Sequence, residues 1–112
     1  MSQITTHILD TTKGKPAAGV TIALLQQAGE NWQEIARGVT NSDGRIGDLL
    51  PREQQLELGI YKMKFYTQEY FALHGTANFY PFVEIVFAVA TPEHYHVPLL
   101  LNPFGYATYR GS

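Results

Sequence analysis

The sequence predicts an all-β domain, a sandwich or barrel of about eight short strands with one short helix. Three observations lead there. The apolar segments are short and many alternate with polar residues, as half-buried strands do. Turn-forming residues recur every ten residues or so, the spacing of an all-β meander or Greek key. Only one stretch, near residue 70, reads as helix. With 112 residues, the chain suits a single domain over 1–112, and 45% hydrophobic against 16% charged residues argues for a packed core over disorder.

The strands follow in order. Residues 5–10 are β-branched and apolar, and 12–19, with Gly14, Pro16 and Gly19, form a loop. Residues 20–26 alternate weakly, and Gly29-Glu30-Asn31 turns them into 32–39. Asn41-Ser42-Asp43-Gly44 is a tight turn in which Gly44 is free to take positive φ. Arg45 and Ile46 follow it, and 47–59 is a mostly polar connection. In 60–67, Tyr61, Met63 and Phe65 take one face while Lys62 and Lys64 take the other. The helix is expected over 68–74, which holds no β-branched residue, with Gly75 as its left-handed cap. Residues 82–90, between Pro81 and Pro92, form the most apolar strand, and 94–101 and 106–110 complete the set. Pro98 lacks a backbone donor, so its strand is expected at an edge or a bulge.

Charge and composition exclude several functions. A net charge of −2 gives no electrostatic basis for binding nucleic acid or anionic membrane. The absence of cysteine removes disulfides, thiol nucleophiles and Cys-ligated metals. No apolar run is long enough to span a membrane, and the N-terminus has no signal-peptide pattern, so a soluble cytoplasmic protein is expected. Phosphate loops, dinucleotide fingerprints, zinc-protease helices and serine-nucleophile elbows are all missing.

What chemistry remains rests on histidine and arginine. His94 and His96 are two apart on a strand, so both leave the same face roughly 7 Å apart. Such a pair can chelate a metal, present two imidazoles to one substrate, or simply be a polar strand face. Glu93, the nearest acid, points to the opposite face. His7 shares a strand face with Thr5 and Leu9. Arg45 is held by the rigid turn before it and suits bidentate contact with a carboxylate or urate-like anion. His74 belongs to the last turn of the helix, where an imidazole complements the dipole, and is read as structural.

These residues coincide with two signature regions of the transthyretin-like family. One is Thr6-His7-Ile8-Leu9-Asp10 followed by Gly14-Lys15-Pro16-Ala17-Ala18-Gly19-Val20. The other runs from His94-Tyr95-His96-Val97-Pro98-Leu99-Leu100-Leu101 through Pro103-Phe104-Gly105-Tyr106 to Tyr109-Arg110-Gly111-Ser112, with Thr40-Asn41-Ser42-Asp43-Gly44-Arg45 between the two. The second region and its terminal tetrapeptide make the chain similar to the 5-hydroxyisourate hydrolases of that family. Asn102 and Ala107 depart from the pattern, standing where these hydrolases often have serine.

The resemblance implies a transthyretin-like, two-sheet sandwich assembled as a homotetramer, a dimer of dimers with its active sites at the dimer–dimer interface. It implies hydrolysis of 5-hydroxyisourate, the product of urate oxidation, at a ring amide C–N bond, giving 2-oxo-4-hydroxy-4-carboxy-5-ureidoimidazoline. Carried over by position, the catalytic residues are His7, Arg45 and His96. Substrate-binding residues are His7, Arg45, His94, Tyr109, Arg110, Gly111 and Ser112. No cofactor and no metal is expected: a histidine near its ordinary pKa of about 6.5 can take a proton from water. The alternatives are a small-ligand carrier on the same fold, a zinc hydrolase built on His7, His94 and His96, and a structural accessory module.

Overall fold

The computed structural model describes residues 2–112. Its strands are β1 (Ile4–Asp10), β2 (Lys15–Pro16), β3 (Thr21–Ala28), β4 (Asn31–Val39), β5 (Arg45–Ile46), β6 (Gly59–Phe65), β7 (Val83–Val89), β8 (Tyr95–Asn102) and β9 (Gly105–Thr108), with one helix, α1 (Thr67–Leu73), between β6 and β7. The expected strands are all present. The additional one, β2, falls in the stretch read as a loop, where two residues pair with Leu9 and Asp10.

Two sheets form the sandwich. One has the order β2-β1-β8-β9, with β5 also paired to β1, and the other has the order β4-β3-β6-β7. Alternation sends one face of each sheet inward. Ile4 and Ile8 of β1 and Val97, Leu99 and Leu101 of β8 meet Ile22, Leu24, Tyr61, Met63 and Phe65 of the other sheet, all buried in one core. The register Ile22↔Phe65, Leu24↔Met63 and Gln26↔Tyr61 keeps the large side chains of β3 and β6 on the same face. The 47–59 connection is less polar in effect than in composition: Leu49, Leu50 and Leu56 are buried and close one side of the core.

α1 sits one residue earlier than expected, and Gly75 follows it at φ 63°. His74 caps the helix through its backbone N–H, its ring packs on Tyr70 at 4.6 Å, and its Nδ1 lies 3.1 Å from the Lys13 ammonium. Tyr70 itself donates its hydroxyl to Asp10 at 2.8 Å, and the same carboxylate accepts from the backbone of Thr12 and Lys13. α1 is thereby tied to the end of β1.

The expectation for Pro98 is corrected. β8 is an interior strand, paired in parallel with β1 and antiparallel with β9, and Pro98 lies beside His7 within it. The β8–β9 ladder runs from Asn102↔Gly105 to Leu99↔Thr108 and then stops, and a bridge in the same register reappears at His96↔Gly111. The interruption falls where Pro98 would have donated to Tyr109. The Thr108 hydroxyl instead donates to the Pro98 carbonyl at 2.7 Å. The missing N–H is therefore absorbed by a gap in the ladder to the last strand, leaving the pairing with β1 intact.

Candidate active site

The outward face of the β1–β8 pair carries the polar groups. Since Ile4, Thr6 and Ile8 face the core, Thr5 and His7 face outward, and β8 likewise turns Tyr95 and Val97 in and His96 out. The parallel register sets Thr5 beside His96 and His7 beside Pro98. On the other side of β1, antiparallel pairing sets Arg45 of β5 beside His7.

Arg45 owes its place to the turn before it. The Asn41 side-chain oxygen accepts from the backbone N–H of Asp43 at 2.9 Å and of Arg45 at 3.1 Å. Gly44 has φ 71°, its carbonyl accepts from Ile8 N–H at 2.8 Å, and a Cβ there would lie 2.5 Å from the Ile8 carbonyl oxygen. Only glycine lets the turn approach β1 this closely.

Arg45, His94, His96 and Ser112 line one cleft of about 240 Å³, with Thr5, Thr6, Ile46 and Gly47 completing its walls. His7 pairs with Arg45 in register but does not itself line the cleft. The imidazoles of His96 on β8 and of His94 just before it are stacked with ring centres 6.4 Å apart, and both are held by Thr5: its Oγ1 is 2.8 Å from His94 Nε2 and 2.8 Å from His96 Nδ1. A neighbouring hollow of about 300 Å³, with Gln3, Arg52 and Glu53 in its walls, shares His94.

The charge environment is cationic. Partial burial pushes the His96 imidazole below its ordinary pKa, and Arg45, His94 and His7 add to the shift. Burial and then Arg45 lower His7, against a smaller opposing effect of Asp43. Both imidazoles thus favour the neutral form, which can accept a proton. Among the described residues, no three His, Cys, Asp or Glu side chains are grouped as a metal site.

The chain end divides around His96. Gly111 N–H donates to the His96 carbonyl at 2.9 Å, and a Cβ on Gly111 would lie 2.5 Å from His96 Cδ2. Glycine at this position is what lets the chain end pass the imidazole and bring Ser112 to the cleft. Tyr109 and Arg110 lie on a different hollow, of about 350 Å³, which also includes His96 but is walled by Ile85, Phe87 and Tyr95. There Arg110 stacks over Tyr95 at 4.5 Å and pairs with Glu93 at 2.6 Å, well away from Arg45. His74 is remote from the cleft, on α1. Asn102 accepts from Phe104 N–H and serves the β8–β9 turn, and Ala107 pairs with Leu100; neither lines the cleft.

Sequence reasoning missed Thr5 as a member of this group. Alternation had put it on the same face as His7, but only the parallel β1–β8 register, which no local pattern encodes, brings it to the histidine pair.

Comparisons with known proteins agree with this architecture. A mouse 5-hydroxyisourate hydrolase is 44% identical, over 99% of this chain and 96% of its own length. A 5-hydroxyisourate hydrolase of Deinococcus radiodurans is 43% identical over 97% of this chain and 95% of its own. Among solved structures, the Klebsiella pneumoniae 5-hydroxyisourate hydrolase superposes with a TM-score of 0.87 at 36% identity, covering 97% of this chain and 98% of that one. Sea bream transthyretin in complex with thyroxine superposes with a TM-score of 0.90 at 36% identity, covering 98% and 95%. The HIUase/Transthyretin family model matches residues 4–111. With fold and sequence in agreement, the chain belongs to the HIUase/Transthyretin family.

Proposed function

We propose that the protein hydrolyses 5-hydroxyisourate, acting in urate degradation, through water attack on the ring amide carbonyl in the cleft of Arg45, His94, His96 and Ser112. The observation that carries this reading is the cationic, histidine-rich cleft in a chain 43–44% identical over nearly its whole length to proteins named 5-hydroxyisourate hydrolase. His96 and His7 serve as the acid–base pair: each is lowered toward its neutral form, so each can accept a proton near neutral pH. Arg45 binds the polar edge of the substrate and opposes the negative charge that grows on the carbonyl oxygen. His94 and the terminal residues Gly111 and Ser112 bound the substrate, and Tyr109 and Arg110 contribute from the far side of His96. No cofactor enters this scheme.

The cleft lies on the outer face of a sheet and is open to solvent in a single chain, which supports assembly into a homotetramer whose second copy covers it. Exclusion of water around the reacting groups strengthens their electrostatics.

A carrier reading has one specific support, the likeness to thyroxine-bound transthyretin. A carrier pocket for an aromatic ligand gains nothing from imidazoles poised as bases beside an arginine. The two separate in one assay. When 5-hydroxyisourate is generated from urate in the cuvette, sub-stoichiometric protein should accelerate its ultraviolet decay with many turnovers. An unchanged decay would favour the carrier.

A further inference from the structure

We propose that Thr5 is a positioning residue that sets which nitrogen of His96 carries the proton, by sharing its single hydroxyl proton between His94 and His96. The catalytic consequence rests on the hydrolase reading above; the control of the tautomer does not.

Thr5 is only 7% exposed, and its Oγ1 contacts His94 Nε2 and His96 Nδ1 at the same 2.8 Å. A hydroxyl donates one proton. For a neutral histidine pair, both contacts are hydrogen bonds only if one nitrogen accepts that proton while the other is an N–H donating to Oγ1. A buried polar group left without its partner is costly enough to select these matched arrangements. There are two. In the first, His96 keeps its proton on Nδ1, Thr5 donates to His94, and His96 Nε2 is bare toward the cleft. In the second, His94 Nε2–H donates to Thr5, Thr5 donates to His96 Nδ1, and His96 carries its proton on Nε2. The first suits removal of a proton from water, and the second suits its delivery to the leaving nitrogen.

The groups facing His96 make the exchange useful. Arg45 of β5, His7 of β1 and His94, just before β8, all disfavour positive charge on it. The C-terminal residue Ser112 lines the same cleft. As hydroxide adds to the carbonyl carbon, the proton of the attacking water goes to His96 Nε2. The Nδ1 proton then passes to Oγ1 while the Oγ1 proton passes to His94 Nε2, which moves the charge to the more exposed imidazole. When the C–N bond breaks, His96 Nε2 gives its proton to the departing nitrogen. The His94 proton returns through the same hydroxyl, and both histidines regain their starting forms.

The test uses the full chain, labelled with nitrogen-15 and free of substrate, at a pH where both histidines are neutral. Long-range proton–nitrogen spectra should show His96 protonated on Nδ1 and bare on Nε2, and His94 likewise, its bare Nε2 accepting from Thr5. Thr5→Val keeps the shape and removes the hydroxyl. It should abolish this matched pairing of tautomers and lower kcat by on the order of 10- to 100-fold, with KM little changed. Thr5→Ser should restore both, which a purely steric role for the methyl would not allow. Should Thr5→Val fail to fold by circular dichroism, Thr5→Ala supplies the hydroxyl-free comparison. Identical His96 tautomers with and without the hydroxyl, or undiminished kcat in the hydroxyl-free variant, would overturn the proposal. A wild-type chain that shows the matched tautomers but hydrolyses nothing would instead overturn the hydrolase reading and leave the role of Thr5 standing.

Discussion

Arg45 and His96 are joined by charge as well as by proximity. The guanidinium is one of the influences holding His96 and His7 below the ordinary histidine value, after burial. A base with a lowered pKa stays neutral as the pH falls past about 6.5, so the acid limb of kcat/KM should lie below the range of an exposed histidine. Removing the cation lets both imidazoles rise. Arg45→Ala should therefore move the acid limb to higher pH in addition to lowering the rate, as read from a pH profile of kcat/KM. An acid limb that stays in place, or moves down, would show that Arg45 does not set their charge. Arg45, His94 and His96 stood out in the sequence because His-x-His and a turn-anchored arginine are local patterns, whereas His7 entered only through the family resemblance. Thr5 did not stand out, because its importance comes from a neighbour 91 residues away.

At the scale of elements, local chemistry predicted well and pairing predicted poorly. The helix near residue 70, its glycine cap and the Asn41–Gly44 turn were legible because each is decided within a few residues. The interior position of β8 was not. The rule that places proline at an edge assumes an unbroken ladder on both sides, and here the break falls between β8 and the chain end. That end has a steric role of its own. Gly111→Ala places a methyl against the His96 ring and should reduce turnover by at least tenfold, on the order expected for a displaced catalytic group. Its melting temperature should change little, since Gly111 lies outside the buried core. Full activity would show that the chain end does not fix His96. The clamp between α1 and β1 should behave in the opposite way. Tyr70→Phe leaves the buried Asp10 carboxylate one donor short and should cost about 1–3 kcal/mol in denaturant unfolding with turnover unchanged. Unaltered stability would contradict the clamp.

For the whole molecule, the two-sheet architecture puts the core between the sheets and the candidate site outside them. One Trp, seven Tyr and six Phe are many aromatics for a domain of 112 residues. Several remain exposed, among them Phe79, Tyr80, Phe104, Tyr106 and Tyr109. Surfaces of this kind are common in stable interfaces, and light scattering at micromolar concentration should give the mass of a tetramer. A monomer with full activity would contradict a site covered by a second subunit. The sequence reading of assembly rested partly on aromatic content and partly on resemblance, because exposed aromatics show that a surface is apolar without showing what it meets.

The most direct test of the account measures the decay of freshly generated 5-hydroxyisourate with His96→Ala beside the wild type, each verified as folded by circular dichroism. With catalysis in the outer-face cleft, His96→Ala should lose on the order of a hundredfold in kcat/KM, as loss of a positioned acid–base group does. His74→Ala, which changes a histidine on α1 outside the cleft, should turn over normally. If His96→Ala keeps wild-type activity, or His74→Ala loses as much, the chemistry lies elsewhere in the molecule.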